Sequence, residues 1–314
     1  MANIWYIQVN RYCNNACHFC SNPSNWNNIS YERWIELLDD FKNKNYSGII
    51  FTWWEPTLST DLPKWIEYSK KIGLGNRMIS NWMLCANYNF TKKLADSWLE
   101  LIHFSVFSFS SKIHDFLTAT PWSWDKLIKS ITNALNCWIR VQINTVINHY
   151  NQDHLDKTVK FLTKLFPPIK HFVWNNLDPE MMRDTKTAWS TLPNYDKFWV
   201  SLKRAMDFLQ STWRTFRAEK VPLCYIRWYE WSSTETRKIV KDEERIVHFL
   251  DFREKIHETD FEHEKLEECK KCDLNTICSW IYEHKKFYNY VKVYPQKLSL
   301  EEKEKIIKII KSVY

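Results

Sequence analysis

The stretch YIQVNRYCNNACHFCSNPS, residues 6–24, joins a short alternating apolar run to three cysteines. Ile4–Val9 predicts a strand. Cys13, Cys17 and Cys20 follow it in a C-x3-C-x2-C pattern, in the loop leaving the strand's carboxyl end. In a parallel α/β barrel that end carries the active site. Three thiolates fall one short of a closed structural zinc site. They are enough to ligate three irons of a 4Fe-4S cluster and leave the fourth iron open. Zinc, or three merely buried thiols, is the bland alternative, and the position directly after a first strand argues against it.

Working outward, strands are predicted near Ile4-Val9, Gly48-Thr52, Arg77-Ser80, Ile102-Ser108, Ile139-Val146 and His171-Asn175. Amphipathic helical patterns follow near residues 31–44, 62–72, 90–100, 124–136, 152–165 and 194–211. Strands alternating with helices in this way imply an α/β fold with parallel strands wrapped by helices. Six such units imply a partial (β/α)6 TIM-like barrel, open where an eight-unit barrel closes. The rhythm changes after residue 212. VPLCYIRWYE reads as strand and loop, YNYVKVYP as a candidate strand, and SLEEKEKIIKIIKSV as a helix begun by Ser299. The expected division is a barrel over 1–212 and a smaller cysteine-cluster region over 213–314.

The 314 residues are 45% hydrophobic and 26% charged, the balance of a globular chain. No apolar run approaches the roughly 20 residues that span a bilayer, and no secretory pattern opens the chain. The expectation is a cytoplasmic protein with no membrane partner. The formal net charge of +7 is spread among acidic residues, so solvated helix faces explain it better than nucleic-acid binding. Nine cysteines in this setting point to metal or catalysis before disulfides.

The cysteine spacing after strand one of a βα-repeat chain resembles the radical S-adenosylmethionine (SAM) superfamily, and Phe19 matches the aromatic residue usual before the last cysteine. The resemblance implies a 4Fe-4S cluster on Cys13, Cys17 and Cys20 that binds SAM through its open iron. It further implies reductive cleavage of SAM to a 5'-deoxyadenosyl radical, and hydrogen abstraction from a substrate. The family's second signature, Gly-Gly-Glu-Pro after strand two, stands here as Trp53-Trp54-Glu55-Pro56. Asn81 in ISNWM, Ser108 at the end of strand four and Asn144 in strand five sit where relatives place polar contacts to the cofactor. Asp178 in NNLDPEMM either faces the substrate or starts a turn before Pro179, the turn being the favoured reading. Cys85 and Cys137 read as small buried hydrophobes, and His18 as pointing to solvent or substrate.

Glycine normally supplies about 7% of residues, roughly 22 here, yet the chain has 3 glycines and 18 tryptophans. Tryptophan stands where glycine is expected, between helix and strand in LADSWLEL and NALNCWIR, and in turns such as SNWM and TPWSW. Some bacterial lineages read UGA as glycine and others as tryptophan, and exchanging the two readings produces this pattern. The suspected positions are Trp53, Trp54, Trp82, Trp98, Trp122, Trp138, Trp228, Trp231 and Trp280, then Trp5, Trp26, Trp34 and Trp213. Trp65, Trp124, Trp174 and Trp199 fit helix or strand patterns as aromatics. A tryptophan-rich stacking surface is the rival, but these residues gather at turns.

In the tail, Cys269, Cys272 and Cys278 form C-x2-C-x5-C, and Cys224 is a candidate fourth thiolate. The arrangement resembles the SPASM and shorter twitch extensions, which carry auxiliary 4Fe-4S clusters. A zinc knot on the same four ligands is the alternative. The resemblance implies a reductant such as flavodoxin or ferredoxin as partner. Peptide or protein modification is the first expectation for function, and cofactor biosynthesis the second. A non-catalytic iron-sulfur or zinc protein that binds nucleic acid is the reading from another class.

Overall fold

The computed structural model describes residues 4–20, 27–52, 54–177, 190–243, 245–250, 255–258, 264–279 and 291–313. Seven strands follow one another in parallel: β1 (Ile4–Gln8), β2 (Gly48–Thr52), β3 (Gly75–Ser80), β4 (Leu101–Ser105), β5 (Arg140–Ile147), β6 (His171–Asn176) and β7 (Thr215–Glu219). With β8 (Arg245–His248) and β9 (Lys255–Glu258) they form one open sheet of order β7-β6-β5-β4-β3-β2-β1-β8-β9. Only the β8–β9 pair is antiparallel. Between the strands run α1 (Tyr31–Asn43), α2 (Leu62–Lys71), α3 (Tyr88–Asp96), α4 (Ser111–Thr118), α5 (Ser123–Asn136), α6 (Leu155–Leu165) and α7 (Tyr195–Ser211). Beyond the barrel helices lie α8 (Thr234–Lys241) and α9 (Leu300–Ser312), the latter opened by a Ser299/Glu302 capping box.

The six expected βα units are present, and the fold is the partial TIM-like barrel that the alternation implied. Alternation along each strand sorts its residues. On β3, Asn76, Met78 and Ser80 are buried on one face while Gly75, Arg77 and Ile79 are only half-buried on the other. The same split recurs on β4 through β7. The fully buried face packs on the helices. There Trp34 of α1 stacks between Phe51 and Trp65 at ring separations of 5.1 and 5.2 Å.

Three details differ from the sequence reading. Strand β7 lies beyond residue 212 yet pairs with β6, so the sheet continues past the expected change of rhythm. VPLCYIRWYE is not a strand: Pro222 lacks the amide a ladder needs, and 223–225 and 230–232 form short 3-10 turns. Residues 291–295 of YNYVKVYP are likewise outside any strand.

The backbone treats several tryptophans as if they had no side chain. Of eleven non-glycine residues with positive φ among those described, seven are tryptophan: 54, 82, 98, 122, 138, 213 and 228. Left-handed backbone costs a side-chain-bearing residue roughly 1–2 kcal/mol. Trp5, Trp34 and Trp231, also suspected, are not in this set. Trp26, Trp53, Trp280 and Asp178 lie outside the described residues.

Candidate functional site

The loops after β1, β2 and β3 meet at the carboxyl end of the sheet. Cys13, Cys17 and Cys20 are half-buried there, and the loop is tied to α4 by the amides of Ala16 and His18, which donate to the Thr118 and Leu117 carbonyls. Cys13 Sγ accepts from the Asn15 amide at 3.4 Å and from Asn81 Nδ2 at 3.2 Å. The same Asn81 Nδ2 donates to Asn14 Oδ1 at 2.7 Å, while its Oδ1 accepts from the Met83 amide. Burial, then the Glu55 carboxylate, pushes the Cys13 thiol up to about 11.

Glu55 is fully buried behind this loop. Its carboxylate accepts from the Thr57 amide, Thr57 Oγ1, Ser80 Oγ and the Asn81 amide, the last at 2.6 Å, and its carbonyl accepts from Asn10 Nδ2. Burial raises its pKa against these hydrogen bonds. The carboxylate therefore locks the ends of β2 and β3 to each other, with Asn10 adding β1's loop. Pro56 is buried at the start of the following turn. Trp54 has φ 50°, and the Arg11 guanidinium lies 5.9 Å from its ring centroid. Phe19 is buried edge-on to Phe107.

Ser108 and Asn144 stand farther along the sheet. Ser108 is buried, its Oγ 2.9 Å from His154 Nε2, and His154 Nδ1 is 2.8 Å from Asp153 Oδ1. Asn144 is half-buried on the barrel's inner face, where its Oδ1 accepts from Asn175. His154 and Asn175 were not singled out from the sequence. Alternation on β6 marks Asn175 as inward-facing, whereas nothing local marks His154. His18 lies tilted against Phe116 at 4.8 Å between ring centroids. Cys85 is a buried thiol as expected, whereas Cys137 is only half-buried.

A second thiol group lies in the tail. Cys224, Cys269, Cys272 and Cys278 line one pocket with Leu274 and Tyr294. Burial pushes the Cys224 thiol up to about 12, with the other three cysteines as its electrostatic neighbours. Backbone amides face these sulfurs: Gln296 donates to Cys272 at 3.3 Å, Leu223 to Cys278 at 3.5 Å, and Tyr294 to Cys224. Amide donors to sulfur suit thiolates that ligate an iron-sulfur cluster. Both donor sets therefore fit such a cluster in chemistry, with three thiols at the first site and four at the second. Among the described residues no three His, Cys, Asp or Glu side chains are gathered closely enough to grip a single metal ion. No helix among them is long and apolar enough to cross a membrane.

The radical SAM superfamily model matches residues 7–162, the span from β1 through most of α6 that carries the first cysteine loop, Glu55 and Asn81. The chain belongs to the radical SAM superfamily. A curated relative, the AdoMet-dependent heme synthase of Oleidesulfovibrio alaskensis, is 24% identical over 162 residues, covering 50% of this chain and 42% of that protein. The chain spans about half the length of the curated relatives it matches. Among solved structures, Streptococcus suis SuiB bound to S-adenosylmethionine aligns with TM-score 0.67 at 15% identity, over 89% of this chain and 72% of that one. Native anSMEcpe with bound AdoMet and the Kp18Cys peptide aligns with TM-score 0.66 at 14% identity, over 99% of each chain. At these identities the likeness is one of fold.

Proposed function

We propose that this chain is a SAM-cleaving radical enzyme whose substrate is a peptide or protein. One observation carries the first half: Cys13, Cys17 and Cys20 share the loop leaving the carboxyl end of β1, where Asn81 donates to the Cys13 sulfur and its amide to Glu55. Three thiols hold a 4Fe-4S cluster with one iron left for SAM. The chemistry that pair supplies when bound is one-electron cleavage of SAM and hydrogen abstraction from the substrate. The chain's own residues position it. Asn81 holds the Cys13 sulfur, Glu55 fixes the turn at 54–58 that would face SAM, and Ser108 and Asn144 offer polar contacts along the inner face.

Support for a peptide substrate is the likeness over nearly the whole chain to a structure with a bound peptide. The reading of cofactor biosynthesis draws on similarity to a heme synthase. We assign residues 213–314 to an auxiliary cluster region on Cys224, Cys269, Cys272 and Cys278, with β7 lending its strand to the barrel. A flavodoxin or ferredoxin is the expected electron donor, and the cytoplasm the expected compartment.

The test is anaerobic reconstitution followed by reduction with SAM present. About eight irons per chain and formation of 5'-deoxyadenosine support the proposal. Zinc retained with no deoxyadenosine overturns it in favour of a non-catalytic metal protein. Incubation with candidate peptides encoded beside this chain then separates peptide from cofactor substrates by mass.

A further inference from the structure

We infer that the natural polypeptide carries glycine, not tryptophan, at residues 54, 82, 98, 122, 138, 213 and 228, and keeps tryptophan at 34, 65, 124 and 174. The helix ends carry the argument. Helices α1, α2, α3, α5 and α7 all finish the same way, with a left-handed residue one step past the cap whose amide turns back to the helix, and whose successor's amide reaches one residue further. At α2 the residue is Gly73, with φ 78°, and the bonds are Gly73 to Lys70 at 3.0 Å and Leu74 to Ser69 at 2.9 Å. At α1 it is Asn45. At α3, α5 and α7 it is Trp98, Trp138 and Trp213, with φ of 72°, 62° and 55°. The matching pairs are Trp98 to Ala95 and Leu99 to Leu94, Trp138 to Leu135 and Ile139 to Ala134, and Trp213 to Gln210 and Arg214 to Leu209. This is the glycine-terminated helix cap, for which asparagine is the ordinary second choice.

At the exposed positions packing does not repay the strain: Trp138 and Trp213 are each 93% exposed, and Trp98, Trp122 and Trp228 are also exposed. Trp82 differs in being buried against Phe107 and His114, and there the left-handed backbone alone marks the position. By contrast Trp34, Trp65, Trp124 and Trp174 lie in helices or strands without positive φ, and all four are buried. The retained glycines are equally demanding, since a Cβ on Gly48 would meet the Gly75 carbonyl oxygen at 2.6 Å. A codon read as glycine in the cell of origin accounts for one set without touching the other. Because Trp54 and Trp82 flank Glu55 and Asn81, the change also opens the backbone beside the cysteine loop to a ligand.

The test is peptide mass from the protein isolated from the cells that encode it. SITNALNCWIR (130–140) and AMDFLQSTWR (205–214) are expected lighter by one indole-bearing side chain each. IHDFLTATPWSWDK (113–126) should lose one of its two, while WIELLDDFK (34–42) and WIEYSK (65–70) stay unchanged. Full tryptophan masses in the first three overturn the inference, and so does loss in the last two. The backbone half is tested on recombinant protein: Trp138→Gly should raise Tm and Trp138→Ala should not, since alanine inherits the left-handed strain. Equal behaviour of the two variants overturns the structural argument.

A separate observation supports a second inference. On the inner barrel face, below the cysteine loops, β3, β4, β6 and β7 present Arg77, His103, His171 and Arg217, each at a half-buried position of its strand's alternation. Arg237 of α8 joins them, neighbouring Arg217 and His171 on one side and Tyr6 of β1 on the other. Arg237 Nε and His103 Nε2 are buried without a hydrogen-bond partner. Glu219, Glu243 and Glu100 are the carboxylates in reach, but Glu100 is shared with Lys70 and Arg140, and Arg217 Nη1 already donates to the Trp231 carbonyl. Counting Lys70 and Arg140, five fixed cations face three carboxylates, a balance that calls for an anion. His171 lies four residues below Asn175 on the same face, about 13 Å at strand rise.

We propose that this interior seats an anionic group of the substrate, a phosphate or a carboxylate, which rests on and deepens the reading of the barrel as a substrate chamber. Calorimetric titration of the iron-loaded chain with tripolyphosphate, and separately with glutarate, is the test. Saturable binding of one probe, weakened at least tenfold by Arg237→Gln and restored in part by Arg237→Lys, supports the site and names the anion. No binding of either, or binding indifferent to both variants, overturns it. The readout is independent of deoxyadenosine formation, so this failure is distinct from failure of the enzyme assignment.

Discussion

The two cysteine groups solve the same problem with different materials. At the first, three thiols sit on a loop rooted in the sheet, and the Asn81 side-chain amide joins the Asn15 backbone amide in donating to sulfur. At the second, four thiols are gathered from turns, and backbone amides of Leu223, Tyr294 and Gln296 face them. Three ligands leave a coordination position for chemistry, whereas four close the site. The support differs accordingly. The first loop leans on Glu55, a buried carboxylate that ties β2 to β3, so its geometry depends on the barrel. The second is assembled from turns far apart in the chain, around 223–225, 267–278 and 294–296, and does not lean on a barrel strand pair.

The sharpest way to break this comparison is ligand removal. Cys17→Ala should lose about four of eight irons and all deoxyadenosine formation, whereas Cys272→Ala should lose about four irons yet retain SAM cleavage in the absence of substrate. Iron analysis with chromatography of the nucleoside checks both, and SAM cleavage surviving Cys17→Ala would dissolve the distinction. Next in size is Glu55→Ala, which leaves four donors facing a void. It should destabilise the chain by at least about 3 kcal/mol, seen in urea unfolding, with Glu55→Gln much milder.

The interior histidines should make the barrel acid-sensitive independently of either cysteine group. Burial lowers His103 to about 3 and His171 to about 4, the latter also facing Arg217, Arg77 and Arg237. Neutral imidazole is favoured in the fold, so the unfolded chain binds more protons below the ordinary value near 6.5. Stability should be full above that pH and be lost as pH falls through about 4 and 3, and His103→Gln should flatten the slope in denaturant titrations. Asn81→Ala is a smaller change. Removing one hydrogen bond to sulfur should move the first cluster's potential downward, on the order of tens of millivolts, and leave the second alone, as redox-monitored EPR would resolve. Smallest is Lys270→Ala at the rim of the second group. Its exposed pair with Glu267 is worth about 0–1 kcal/mol, so neither iron content nor Tm should move measurably.

Local pattern carried much of this molecule. Strand positions from β1 to β6, the three-cysteine loop and the tail cysteines were legible because alternation, helical periodicity and ligand spacing are short-range signals. Alternation also marked which tryptophans belong to strands and helices, and turn context marked most of those that do not. It misjudged Trp34, whose helical surroundings look polar in sequence but whose ring is clamped between Phe51 and Trp65 in the core. Strand β7 was missed because five residues, TFRAE, carry too little pattern, and only the free edge of β6 makes them a strand.

The sequence alone determined the order of strands and helices, the thiols available and the excess of tryptophan at turns, because each follows from neighbours a few residues apart. Tertiary structure alone decided that Asn81 reaches Cys13, that Glu55 braces two strands, and that five inward groups from β3, β4, β6, β7 and α8 converge. Those contacts join residues far apart in the chain. They exist only because parallel strands twist and curl until their carboxyl ends share one mouth and their inner faces one chamber.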